Sequence, residues 1–140
     1  ELEALAVSTY ITPVLLGQAT VFEFLRRGNF DSNLERVRGL LRVRRDAMLE
    51  ALEQELSSAT WSRPEGGYFI WLDLDGEVED VPGVSYVKGT DFGAGPNTAR
   101  LAVSSVSPDE IREGIRRLSA AGVGRGAAAA AAPASRGYAA

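Results

Sequence analysis

The chain has 140 residues, of which 45% are hydrophobic and 24% charged, a composition typical of one globular domain. It contains neither cysteine nor histidine, which excludes a disulfide framework, metal sites built on thiolates or imidazoles, and the commonest general base. The net charge of −4 argues against nucleic acid or an anionic membrane as the main partner, and since no apolar run could span a bilayer we expect a soluble, cytoplasmic protein.

The first half of the chain predicts two helices. An apolar periodic stretch predicts a first helix from Pro13 to Arg27, where Gly28 stops it. A long second helix follows, with Ser32 as its N-cap because Glu35 stands three residues later, as in a capping box. Its polar face mixes acidic residues with five arginines and predicts a solvated surface; these are Arg36, Arg38, Arg42, Arg44 and Arg45.

Three short strands are predicted next. Residues 68–74 are rich in aromatic and branched side chains, which predicts a strand buried on both faces. Residues 84–87 and 98–104 predict two further strands, because both are short apolar runs bounded by turn residues. The glycine-rich stretch between them, 89–97, predicts a loop.

A last helix is predicted from Pro108, because Ser107 caps it and Glu110 closes a capping box. The segment 122–140 is mainly alanine, glycine, proline and serine without an apolar face, so we expect a disordered tail. The order of elements predicts an α+β fold, with helices packed on one face of a short, mainly antiparallel sheet.

Arg100 is the first candidate functional residue. Alternation along 98–104 places it on the strand face opposite Leu101, among small uncharged neighbours. The planar fork of a guanidinium is suited to binding a carboxylate through two parallel hydrogen bonds. The alternative is a structural salt bridge to Asp73 or Glu65, and spacing alone favours that alternative.

Two glycine segments and one lysine are further candidates. Gly66 and Gly67 precede a predicted strand, and paired glycines let a backbone approach a ligand closely, although such pairs more often form a plain turn. The segment 89–95 fits no phosphate-binding loop pattern and does not enter a helix. Lys88 is the only lysine, so Schiff-base chemistry has a single candidate in this chain.

Two motifs stand in order, P-x-G-G-Y-F-x-W at 64–71 and N-x-x-R-L at 97–101. Together with the segments 42–49, 87–92 and 107–111 they resemble the C-terminal third of a fold-type I, class I/II pyridoxal-phosphate-dependent aminotransferase. Within that family the chain is similar to 2-aminoadipate and multisubstrate aminotransferases and to aminotransferase-like regulators. On this resemblance, residues 1–121 are a partial small C-terminal domain.

The resemblance implies transamination, in which an amino group passes from an amino acid to pyridoxal 5′-phosphate and then to a 2-oxo acid. It implies that Arg100 binds the α-carboxylate of the substrate, that Asn97 belongs to the same motif, and that Gly66 and Gly67 line the substrate entrance. A homodimer, or a pairing with a large domain, is the implied assembly.

Two departures qualify the resemblance. The family's Schiff-base lysine and cofactor-holding residues belong to a large domain that precedes this segment, and Lys88 stands where the family often has proline, so we interpret it as a surface lysine. The stretch 75–83 is too short for the helix that the family usually has there. We therefore expect no catalytic, cofactor-binding or metal-binding residue in this chain, and an inactive isolated protein. The alternative is a non-catalytic interaction module, or a degenerate remnant, that associates with a complete subunit.

Overall fold

A computed structural model gives the structure of the chain and describes residues 2–9 and 14–122. The chain divides into two compact units, the first ending at Gly39 and the second beginning at Leu40. The expected tail lies outside the described residues, except for Gly122. In the described part, no helix is long and apolar enough to cross a bilayer, and no cluster of acidic side chains could hold a metal ion.

The chain begins with three helices: α1 (Leu2–Thr9), which was not predicted, α2 (Leu15–Arg26) and α3 (Asn29–Glu55). Gly28 ends α2 as predicted, and its φ of 69° is a left-handed conformation that costs glycine little. The predicted N-cap at Ser32 is wrong, because α3 already begins at Asn29. The Ser32 hydroxyl donates instead to the carbonyl oxygen of Asn29 at 3.2 Å, as hydroxyls inside helices commonly do.

No residue of α1 or α2 is buried. Among the described residues of this first unit, three large apolar side chains are half-buried, namely Phe24, Leu34 and Val37. The others are exposed, and they are Leu2, Leu5, Val7, Val14, Leu15, Leu16, Val21, Phe22, Leu25 and Phe30. The polar side of α2 carries Glu23, which forms ion pairs with Arg26 and Arg27. The first unit therefore has helices with exposed apolar side chains and, in the described residues, no core of its own.

The second unit contains a four-stranded antiparallel sheet with the strand order β1-β2-β4-β3. Its strands are β1 (Thr60–Trp61), β2 (Phe69–Asp73), β3 (Val87–Lys88) and β4 (Thr98–Ala102). The strands predicted at 68–74 and 98–104 are present but shorter, whereas the one predicted at 84–87 is displaced to Val87–Lys88. β1 was not predicted. β2 and β4 pair along their whole length, with Phe69 opposite Ala102 and Asp73 opposite Thr98.

The C-terminal half of α3 and the last helix, α4 (Pro108–Ala120), cover one face of this sheet. The buried core residues are Met48, Ala51, Leu52, Leu56, Ala59, Ile70, Leu72, Leu74, Val78, Val81, Ala99, Leu101, Val103, Ile111, Ile115 and Leu118. At the start of α4 the predicted capping box forms, because the Ser107 hydroxyl accepts from the Glu110 N–H while the Glu110 carboxylate accepts from the Ser107 N–H. The expected α+β class is confirmed.

β2 is not buried on both faces, which corrects the prediction for residues 68–74. Ile70 and Leu72 lie in the core, whereas Phe69 and Asp73 are exposed and Trp71 is half-buried. The helices cover only one face of the sheet, so the alternate side chains of β2 lie on an open face. The connection from residue 74 to 86 contains no helix, as its length predicted.

Candidate functional site

Arg100 occupies the middle of β4, on the face of the sheet that the helices leave open. Ala99 and Leu101, its neighbours in the strand, are buried in the core, so alternation puts Arg100 on the opposite face. Trp71 of β2 and Val87 of β3 lie directly across the sheet from it. Arg100 is therefore flanked on both sides by paired strands.

Two aromatic rings contact the Arg100 guanidinium. Its Cζ lies 4.1 Å from the ring centroid of Phe69 and 4.5 Å from that of Phe92, both within the range of a cation–π attraction. Phe69 belongs to β2, and Phe92 ends a 3₁₀ helix, Gly89–Phe92, that follows β3. Phe92 also packs edge-on against Trp71, with centroids 5.9 Å apart. These contacts fix the position of the guanidinium.

Within the described residues, Arg100 has no ion pair, and its Nε is buried without a hydrogen-bond partner. The structural salt bridge considered above does not form with either candidate, Asp73 or Glu65. The Asp73 carboxylate instead accepts a hydrogen bond from Asn97. An unpaired buried donor costs roughly 1–3 kcal/mol, so a carboxylate that reaches it gains the bond and removes this cost.

A cavity of about 540 Å³ opens beside Arg100. It lies between β4, the segment 83–87 and α4, and Phe69 and Arg100 contribute to its wall. Most of its lining is apolar, with a few charged side chains at α4. Its wall contains the Arg100 cation and, from α4, the carboxylates of Glu110 and Glu113.

The other three predicted site residues lie at the two ends of the β2–β4 pair. Asn97 precedes β4, and its Nδ2 donates to the Asp73 Oδ1 at 2.6 Å, which ties the two strands together. Gly66 and Gly67 precede β2 at the opposite end, and at neither position does any atom lie within 4 Å of an added Cβ. Gly67 has a φ of 88°, so the turn requires glycine there. The structure therefore does not bring Asn97 together with the two glycines; Arg100 lies between them.

Lys88, the only lysine, lies in the edge strand β3. Its Nζ is 3.0 Å from the Oδ1 of Asp80, and the hydrogen bond to this carboxylate raises the pKa of Lys88. A lysine that forms a Schiff base must first lose its proton, which a raised pKa disfavours. The interpretation of Lys88 as a surface residue agrees with this geometry.

Arg44 and Arg45 of α3 contact backbone carbonyl groups, so the prediction of a purely solvated face is wrong for both. Nη1 of Arg44 donates to the Ser104 carbonyl at 2.5 Å. Nη1 of Arg45 donates to the carbonyl oxygens of Pro64 and Glu65, at 3.4 and 3.5 Å. The one sequence signal was their position directly before the core stretch of α3, where a long side chain can reach the end of the sheet.

Comparison with known proteins supports the family resemblance, although no protein-family model matches the chain. The 2-aminoadipate transaminase of Thermus thermophilus is 36% identical over 116 residues, and aromatic-amino-acid aminotransferase 1 of Thermococcus litoralis is 34% identical over 113. These alignments cover 74% and 72% of this chain, but 29% and 27% of the two relatives.

Solved structures agree with the sequence comparison. The multiple substrate aminotransferase from Thermococcus profundus superposes with a TM-score of 0.72 and 32% identity, covering 84% of this chain and 32% of that one. The α-aminoadipate aminotransferase of Thermus thermophilus, complexed with N-(5′-phosphopyridoxyl)-L-leucine, gives 0.69 at 32% identity, covering 84% of this chain and 33% of that one. The chain belongs to the aminotransferase family.

The chain spans less than a third of the length of the curated relatives named above. The resemblance to this family is thereby confirmed, and the matches include a 2-aminoadipate transaminase and a multiple substrate aminotransferase. A transcriptional regulator of the helix-turn-helix (HTH) type from Bacillus subtilis also matches, at 30% identity over 119 residues and 23% of its length. Aminotransferase-like sequence of this kind therefore occurs both in enzymes and in a regulator.

Proposed function

We propose that this chain supplies the substrate-carboxylate site of a pyridoxal-phosphate-dependent aminotransferase, in which Arg100 binds the α-carboxylate of the amino acid. The observation that carries the proposal is the state of Arg100. Its guanidinium is fixed by Phe69 and Phe92, yet in the described chain it has no ion pair and its Nε has no acceptor. A carboxylate provides two acceptors in the plane of the guanidinium fork, and one of them can supply the bond that Nε lacks.

The proposed substrates are an amino acid and a 2-oxo acid, without a choice of side chain. The relatives differ in this respect, since one is named for 2-aminoadipate and another for aromatic amino acids. The α-carboxylate is the group that all such substrates share. We assign to Arg100 only the recognition of that group.

The described residues fit the substrate's carboxylate but do not fit the cofactor. The only lysine is ion-paired with Asp80 and has a raised pKa, and Asn97 already donates its amide N–H groups within the protein. We therefore place the cofactor lysine in a different segment, equivalent to the remainder of the relatives' length. In this proposal residues 1–121 act as a partial small domain, and the assembly is a homodimer or a pairing with a large domain.

The test of Arg100 is an NMR titration of the chain with L-leucine and with 3-methylbutylamine, which lacks only the α-carboxylate. We expect leucine to shift the Arg100 Nε–Hε resonance and the amine to leave it unchanged. Arg100→Lys keeps the charge but loses the fork, so it should weaken leucine binding about tenfold to a hundredfold.

Arg63→Lys is the matched control, since Arg63 also lies over an aromatic ring, 5.8 Å from that of Trp61, but pairs with Glu53. It should leave leucine binding unchanged. Circular dichroism checks that each variant is folded, and Arg100→Gln provides a second test if the lysine variant unfolds. Equal effects of leucine and the amine, or unchanged leucine binding in both Arg100 variants, would reject the role of Arg100.

Exclusion of Lys88 from cofactor chemistry can be tested separately. The chain is incubated with pyridoxal phosphate, reduced with borohydride and mapped by peptide mass spectrometry. Because Lys88 is protonated and bound to Asp80, we expect no saturable, stoichiometric modification. Stoichiometric modification that disappears on unfolding would make Lys88 a site residue.

A second candidate function is a non-catalytic ligand-binding or interaction module. The match to an HTH-type regulator favours it, because aminotransferase-like sequence stands in a protein named as a regulator. Carboxylate binding at Arg100 is compatible with both candidates, so binding alone does not separate them. Amino transfer that increases when the chain is added to a complete homologous subunit, and that Arg100→Lys reduces, supports the enzyme. Association without any Arg100-dependent transfer supports the module.

A further inference from the structure

Two adjacent arginines of α3 reach two different backbone segments. Arg44 donates to the carbonyl of Ser104, in the segment that leaves β4. Arg45 donates to the carbonyls of Pro64 and Glu65, in the turn that leads into β2. Neither segment is part of a strand, so these carbonyl groups have no sheet partner to hold them. Side-chain donors from a helix anchor them instead.

Both segments meet at the same end of the β2–β4 pair. Phe69, the first residue of β2, lies opposite Ala102, the last residue of β4. Beyond this pair, the Val103 N–H donates to the Tyr68 carbonyl at 2.9 Å, which extends the ladder by one bond. The end that the arginines hold is therefore the end that carries Phe69, whose ring contacts Arg100.

The Arg45 side chain is itself oriented by its neighbour. Its Nε and Nη2 donate to the Oδ1 of Asp46 at 2.8 and 2.6 Å, which leaves Nη1 directed at the two carbonyl oxygens. The Arg45 side chain is 25% exposed, whereas the Asp46 side chain is 55% exposed. A guanidinium can make both sets of bonds at once because its donors are arranged in a rigid fork.

The turn that Arg45 contacts has a particular need for such an anchor. It contains Gly66 and Gly67, which have the largest backbone freedom of any residue type and no atom within 4 Å of an added Cβ. Without a fixed contact on one side, this turn would sample several conformations. Phe69 follows Gly67 by two residues, so the conformation of the turn determines the position of Phe69.

We propose that Arg44 and Arg45 are positioning residues of the carboxylate site. They fix the turn before β2 and the segment after β4, and through Phe69 they set the orientation of the Arg100 guanidinium. The consequence for ligand affinity rests on the function proposed above, whereas the consequence for the position of Arg100 does not.

Hydrogen exchange of the full chain, followed by NMR, tests the structural step. In Arg45→Gln we expect the amides of Gly66, Gly67 and Tyr68 to exchange about fivefold faster or more, and in Arg44→Gln those of Ser104 and Ser105. The matched control is Arg42→Gln, on an exposed position of the same helix, which should leave both segments unchanged. The core amides of Ile70 and Ile115 should keep their rates in all three variants.

Leucine affinity and the Arg100 Nε–Hε resonance test the link to the site. We expect both glutamine variants to shift this resonance and to weaken leucine binding about threefold to tenfold, with Arg45→Lys intermediate because an ammonium lacks the fork. Arg42→Gln should do neither.

Three results would overturn the proposal. The first is faster exchange throughout the core, which would mean a general loss of stability. The second is unchanged exchange at both segments. The third is an unchanged Arg100 resonance despite faster local exchange. If the wild-type chain binds no leucine, the proposed function fails, and the positioning role is still decided by the Arg100 resonance and the exchange rates.

Discussion

The two units of the chain differ in the exposure of their apolar side chains. In the second unit Leu52 and Ile70 are 0% exposed, within a core shared by two helices and a sheet. In the first unit Leu16 is 75% and Phe22 63% exposed, and neither α1 nor α2 has a buried residue. Burial of apolar surface is the main source of folding free energy. The second unit therefore contributes most of the stability that burial of apolar surface supplies.

The largest expected effect contrasts two leucines, one from each unit. Leu52→Ala should lower the free energy of unfolding by about 2–5 kcal/mol, because it leaves a cavity in the core. Leu16→Ala should change it by about 0.5 kcal/mol or less, since that side chain is exposed. Urea unfolding followed by circular dichroism measures both. A comparable loss at Leu16 would show that α2 is covered in solution, and repeating the measurement at lower protein concentration would reveal whether a second copy covers it.

Two glycines give the next contrast. A Cβ at Gly89 would lie 1.8 Å from the Thr98 Oγ1, so Gly89→Ala should destabilise the second unit by about 1–3 kcal/mol. Gly17, within α2, has no atom within 4 Å of an added Cβ. Gly17→Ala should be neutral or stabilising by up to about 1 kcal/mol, because alanine is the better helix former. Thermal unfolding compares them, and a tolerated alanine at Gly89 would contradict the close packing of the 3₁₀ helix on β4.

The cap of α4 should have a smaller effect. Ser107→Ala removes the acceptor for the Glu110 N–H and should cost about 1 kcal/mol. Ser32→Ala is the matched control, because this hydroxyl lies inside α3 and caps nothing. Urea unfolding should therefore separate the two serines. Equal losses would mean that the interior bond of Ser32 contributes as much as a cap.

The smallest effect concerns pH. Hydrogen bonds from Ser107 lower the pKa of Glu110, so its ionised form is favoured in the folded protein. The stabilisation is present above the unfolded pKa, about 4.3, and is lost as the pH falls through the lower folded value. Glu110→Gln should therefore flatten the acid limb of stability against pH. A wild-type stability that rises as the pH falls through this window would contradict the sign.

The contrast between Ser107 and Ser32 also shows what local sequence can predict. At α4 the cap, the proline and the glutamate all agree, and the helix begins where they indicate. At α3 the same serine and glutamate spacing occurs inside a helix, because Gly28 had already ended α2 and Asn29 starts the next helix at once. A capping motif indicates a local preference for a helix N-terminus, but the helix can still begin at an earlier residue.

In the candidate site, too, local features could be predicted from the sequence and long-range contacts could not. Alternation placed Arg100 on the correct face, since that depends only on the neighbouring residues of one strand. Its contact with Phe92 could not be predicted, because it arises from the pairing of β3 with β4. The backbone acceptor of Arg44, the Ser104 carbonyl, lies 60 residues away in the sequence, and no local pattern predicts such a contact.

The two outer strands, β1 and β3, contain only two residues each, and one of them carries the charged Lys88. Such edges offer another chain very little backbone on which to add a strand, which is how many proteins avoid joining their sheets into fibrils. When this chain is concentrated, we expect any assembly to form through its exposed helices. The resulting particles should keep a helical circular dichroism spectrum and should not bind amyloid dyes.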